Sequence, residues 1–213
     1  MATAISAWNV KLGGSILNCS DAMLQAATLS AIREFCRKTE LWTVELTAIS
    51  IVADTAEYAL ATTAGDVINT DHVEIDDEPI TETSETYLDK NEYGWRDMES
   101  ADPLRFYVNV DREIVLVYTP SASNASALAV WVNLMPLEAA TTVEDFLWED
   151  HWRVINYGAK SELFEMDAYP WGDLEKAEYF RQKFLEGIDY AAMFKESGYS
   201  GLEPTLRFEY NGE

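Results

Sequence analysis

The chain has 213 residues, 38 of them acidic and 15 basic, for a formal net charge of −23. Such a surface is repelled by phosphate backbones and anionic membranes, which argues against direct nucleic-acid binding as its task. Solubility, a salty setting, or a surface that must lie near DNA without holding it remain. Hydrophobic content of 48% with 7 Trp and 11 Tyr argues against disorder. A chain of this length buries roughly 70% of its unfolded surface, so it needs no metal or disulfide staple.

Residues 1–18 form a weakly patterned lead-in with Trp8 and Gly13-Gly14, read as an arm that orders only against a neighbour. No basic region followed by a continuous apolar core opens the chain, so no signal peptide is expected. Ser20, or Asn18 before it, can cap a helix running to about Lys38. Leu24, Ala27, Ala31 and Phe35 share one line of that helix, with Leu29, Ile32 and Cys36 beside it. A stripe this broad suits a helix gripped by two neighbours. Cys19 and Cys36 are the two cysteines; Cys36 reads as a small buried hydrophobe, and a reducing compartment is the default.

At Trp42 the apolar period shifts toward two. Val44–Ala48, with Ile49 and Ile51 after a phase slip, Glu57–Leu60, Asp66–Asn69, His72–Ile75, Phe106–Val110, Glu113–Tyr118 and Ala127–Leu134 read as strands. Asp111-Arg112 turns a hairpin. Together they predict a small antiparallel sandwich or barrel. Between them, Thr81–Pro103 reads as a polar, poorly structured loop, and its Tyr87, Tyr93 and Trp95 are candidate contacts to a neighbour.

Phe146–Ser197 reads as two helices broken at Tyr169-Pro170-Trp171-Gly172-Asp173. In the first, Trp148, Trp152, Ile155, Ala159, Leu163 and Met166 recur at steps of three and four; in the second, Leu174, Ala177, Phe180, Phe184, Ile188 and Ala191 do the same. Trp171 sits in the break, and Asp173 suits an N-cap. Two such stripes face each other in an antiparallel hairpin. After Gly198, Leu202, Leu206, Phe208 and Tyr210 alternate with polar residues, so an extended arm added to another chain is expected, against the alternative of a tail packed on its own domain.

No catalytic constellation emerges. His72 and His151 lie in neither metal nor triad spacing, and Glu74, Asp76, Asp77 and Glu78 lack the spacing of a calcium loop and read as a solvated turn. No cofactor and no enzymatic role are expected, and no apolar run approaches the roughly 20 residues that span a bilayer.

Three stretches, taken in order, carry a resemblance. They are the helix end Ala31-Ile32-Arg33-Glu34-Phe35-Cys36-Arg37-Lys38-Thr39-Glu40-Leu41-Trp42, then Ile155-Asn156-Tyr157-Gly158-Ala159-Lys160 before the Tyr169–Asp173 break, and Phe184-Leu185-Glu186-Gly187-Ile188 before the terminal arm. With these, the chain resembles the head-to-tail adaptor (connector, or gatekeeper) proteins of tailed bacteriophages over most of residues 20–195. The resemblance implies a ring, usually of twelve copies, beneath the portal at the virion neck. It implies contacts with portal protein and with a downstream tail or nozzle protein, double-stranded DNA passing without specific binding, terminal arms docked on the portal, and assembly in the host cytoplasm. Leu202, Leu206, Phe208 and Tyr210 would be the docking residues.

The fold expected is α+β: a helical bundle of residues 19–42 and 143–198, an inserted antiparallel β domain of residues 43–142, and arms at 1–18 and 199–213. The competing readings are an acidic DNA mimic that regulates a nucleic-acid-binding protein, and a carbohydrate-binding β module.

Overall fold

The computed structural model describes residues 2–14, 16 and 18–197. In chain order they form β1 (Ala2–Ala4), α1 (Ala7–Gly13), α2 (Asp21–Thr39), β2 (Thr43–Glu45), β3 (Ile49–Ile51), β4 (Glu57–Ala59), β5 (Asp66–Ile75), β6 (Glu78–Pro79) and β7 (Thr81–Glu82). Next come α3 (Glu85–Asn91), a 3₁₀ turn at Trp95–Asp97, β8 (Glu99–Ser100), β9 (Arg105–Val108), β10 (Glu113–Val117), β11 (Thr119–Pro120) and β12 (Asn124–Met135). The described chain ends with β13 (Thr142–Glu144), α4 (Asp145–Glu149), α5 (Trp152–Phe164) and α6 (Leu174–Ser197). Mixed α+β architecture is therefore observed, in two compact units: Trp42–Met135 forms one, and the described residues on either side of it form the other.

In the helical unit α2, α5 and α6 pack against one another. Ser20 opens α2 by accepting from the Met23 amide at 3.4 Å, and Glu40 closes it with a left-handed φ of 52°. Asp173 accepts from the Lys176 amide at 3.1 Å and so caps α6, as its position after the proline break predicts. The helices approach closely because glycines stand at the contacts. A Cβ on Gly158 would lie 2.9 Å from both the Ala31 Cβ and the Phe184 ring, and one on Gly187 would lie 2.7 Å from the Val154 methyls. Gly158 in the stretch Ile155–Lys160 and Gly187 in Phe184–Ile188 are thus the places where α5 meets α2 and α6.

Two expectations for this unit are corrected. Residues 2–14 do not stand apart as an arm. β1 pairs antiparallel with β13, the Thr3 hydroxyl donates to Asp145 at 2.6 Å, and Ile5, Trp8, Leu12 and Ile16 are buried. Their apolar area drives the segment onto the unit. The first hairpin helix is also interrupted. Trp148 lies on α4 and Trp152 opens α5, with Asp150-His151 between them, and Met166 falls beyond the helix end. Leu147, not Trp148, is the fully buried residue of α4. Leu174, expected on the apolar stripe of the second helix, is exposed.

In the other unit the twelve-residue β12 is the central strand. It pairs with β5 along one edge and with β2 and β3 along the other, all antiparallel. His72–Ile75 and Asp66–Asn69 belong to one ten-residue strand, β5, and its register against β12 shifts twice, near Trp131 and Asn133. Asn133, buried at the second shift, is satisfied by Thr43 Oγ1 and Asn69 Oδ1, each at 2.8 Å. A second sheet runs β4-β10-β9-β7. Arg112, at φ 61°, turns the β9–β10 hairpin, so Asp111-Arg112 turns as expected without a glycine.

Two short pairings, β7 with β9 and β8 with β11, are parallel, where an all-antiparallel unit was expected. Parallel neighbours require a crossover of a dozen or more residues. The segment read as a poorly structured loop supplies it: α3, the 3₁₀ turn and β8 lie between β7 and β9.

Candidate assembly surfaces

The hairpin residues divide into core and rim. Ile155, Leu163, Phe184 and Ile188 are buried, whereas Trp148, Trp152, Trp171 and Phe180 are half-buried. Phe180 stacks on Phe164 at 5.7 Å and on Tyr157 at 5.9 Å across the α5–α6 contact. Trp148 meets Trp8 of α1 edge-on at 4.7 Å, and Trp171 stacks on Tyr169 at 4.7 Å in the turn. Partner ring atoms therefore cover part of each rim residue. The packing of α1 under Trp148 was missed in the sequence, although Ile5, Trp8, Leu12 and Ile16 keep helical spacing through residues 5–16.

Charged contacts tie the same helices. Arg181 of α6 grips Glu34 of α2 through two bonds of 2.6 and 2.7 Å, and Lys38 reaches Glu34 at 3.0 Å. These donors hold the Glu34 carboxyl below its usual range. Glu162 goes the other way: burial, joined by the charges of Glu165 and Glu34, pushes its carboxyl up. His151 rests between Phe35 at 4.9 Å and Phe146 at 6.2 Å, and burial there lowers its pKa.

Two surface features of this unit could hold another molecule. A groove of about 740 Å³ runs along α2 past Ala26, Ser30, Arg33, Arg37 and Lys38. A second hollow of about 500 Å³ lies between the start of α5 and the end of α6, walled by Trp152, Val154, Tyr190 and Phe194. Tyr190 and Phe194 contact each other edge-on at 4.8 Å. Leu202, Leu206, Phe208 and Tyr210 lie outside the described residues.

In the β unit the three loop aromatics separate. Tyr93 is 99% exposed and Tyr87 is exposed, but Trp95 is 5% exposed and packs with Leu88 and Val117. Trp95 donates to Asp89 at 3.0 Å, and the Arg96 guanidinium covers its ring at 4.3 Å. Trp95 therefore anchors the crossover, while Tyr87 and Tyr93 present their rings to solvent. Ser84 caps α3 by accepting from the Tyr87 amide at 3.2 Å, the local signal for the helix that the reading of 81–103 passed over. This unit also holds most of the charge, with 18 acidic and 4 basic residues between Trp42 and Met135.

Reactive groups of the described residues are not brought together. Among the described residues no three of His, Cys, Asp and Glu cluster in a way that could hold a metal ion. Cys36 is buried and its thiol is pushed up to about 12, so it is no thiolate at neutral pH. His72 lies 2.8 Å from Glu74 and beside the Trp131 ring, in no larger constellation. No helix of the described residues is long and apolar enough to cross a membrane.

A family model described as "SU10 adaptor protein" matches residues 2–204, spanning both units. Nothing matches among the curated proteins.

Proposed function

Because the chain belongs to the SU10 adaptor protein family, a family of phage head-to-tail adaptors, we propose that copies of it form a ring beneath the portal, joining capsid to tail and lining part of the DNA passage. As a member of that family it is a structural virion protein, in keeping with a place at the neck. The match over residues 2–204 carries the reading, since it takes in both units rather than one shared module.

In this reading α2, α5 and α6 form the rigid bundle of a repeating wedge, and unlike surfaces on its two sides meet around one axis. Such head-to-tail contacts close into rings when the rotation per subunit allows it. Twelve copies are proposed, with the β unit facing outward or toward the tail or nozzle protein. Residues Leu202, Leu206, Phe208 and Tyr210 dock on the portal. The acidic balance suits a channel through which DNA slides during ejection, because a basic wall would hold phosphates by releasing their counterions. No bond-making step is assigned to any residue. Supporting this, the close approaches at Gly158 and Gly187 favour a stiff scaffold.

The test is a mass measurement of the purified chain mixed with its portal protein. A complex holding a fixed, ring-sized number of copies is expected. Binding of single copies, or none, overturns the reading.

A further inference from the structure

We propose that the acidic tip of the β5–β6 hairpin in one copy seats in the α2 groove of the next copy, the two unlike halves of the contact that closes the ring. This inference rests on the ring reading above. A head-to-tail contact needs two different surfaces that fit each other, and in a chain of net charge −23 most surface pairs repel.

The α2 groove carries an excess of bases. It gathers Arg33, Arg37 and Lys38 within six residues, against Glu34 and Glu138 on the same lining, and the small Ala26 and Ser30 stand at its other end. Glu34, among these bases, is held by Arg181 from α6 as well as by Lys38, so with Arg181 counted the bases at the groove still outnumber its acids. Arg37 and Lys38 are exposed.

The hairpin tip is its complement in charge. Four of the five residues 74–78 are acidic. Asp76 and Asp77, at φ 53° and 65°, form a tight two-residue turn, which carboxamide and carboxylate side chains tolerate. Asp76 accepts from Asn124 at 2.6 Å and Glu74 faces His72 at 2.8 Å, so the tip is held in shape. Asp77 and Glu78 are exposed at its end. Two strands stand about 5 Å apart, so the tip is a narrow probe rather than a flat face.

The experiment uses the full chain with portal protein and reads ring yield by native mass. Arg37→Glu/Lys38→Glu and Asp77→Asn/Glu78→Lys are each expected to cut ring yield at least tenfold, and combining all four changes in one chain is expected to restore most of it. Wild-type rings are expected to weaken as salt rises, because exposed ion pairs are screened. Rings unaffected by either reversal overturn the inference and leave the ring standing. So does a lowered melting temperature with unchanged ring yield, which places the contact within one chain, or two losses without rescue, which sends each surface to another partner. A wild-type chain that never forms rings with portal overturns the ring itself.

Discussion

At Gly158 the sequence leaves no room for a single methyl group. Gly158→Ala would set a Cβ 2.9 Å from Ala31 and from the Phe184 ring, and the helices must move apart to admit it. Overpacking of this kind costs about 1–3 kcal/mol. A lower urea midpoint with an unchanged far-UV spectrum is the expected result. Glu162 offers a second test, through pH. Its folded pKa is raised above the ordinary 4.5, so the stability it contributes is fully present below that value and is lost as pH rises through the folded pKa. Glu162→Gln should therefore raise the melting temperature at pH 7 and leave it unchanged well below pH 4.5. His151 acts in the opposite sense. Its folded pKa is depressed, so the neutral ring between Phe35 and Phe146 is undisturbed above the ordinary 6.5, and stability falls as pH drops below that value until the folded pKa is passed. Replacing His151 by Gln should flatten the stability profile between pH 7 and 5.

Among the elements, α2 and α6 were legible because their signals are local. Ser20 and Asp173 cap them, and the apolar residues of α2 recur at helical spacing from Leu24 to Cys36. The break between α4 and α5 was not legible. Trp148 and Trp152 stand four apart and continue the helical pattern across Asp150-His151, and nothing in the local sequence tells that Trp148 will turn toward Trp8, some 140 residues away. The parallel strands β7 and β9 were hidden for a like reason: two residues, Thr81-Glu82, are too few to show a period. Of the candidate surfaces, the core positions Ile155, Phe184 and Ile188 could be read from spacing, whereas the α2 groove depends on which exposed residues neighbouring helices leave open. One element-scale prediction concerns the end of the chain. Deleting Leu202–Glu213 is expected to leave the thermal unfolding midpoint within about 1 °C, since the described contacts among α2, α5 and α6 use residues up to 197, while abolishing attachment to portal protein in a pull-down. Unchanged attachment would remove the docking role from Leu202, Leu206, Phe208 and Tyr210.

For the whole molecule, charge and packing together bear on the function. Two well-packed units, with close helix contacts at Gly158 and Gly187, suit the proposed role of a part that transmits position. The strongly acidic balance disfavours contact with phosphate backbones, and in the proposed ring it would make assembly depend on the places where bases collect. The central claim is that this chain joins capsid to tail as a ring. Electron microscopy of virions grown without it tests that claim most directly: DNA-filled capsids lacking tails are the predicted product, restored to whole particles when purified chain is added back. Capsids still joined to tails in its absence would contradict it.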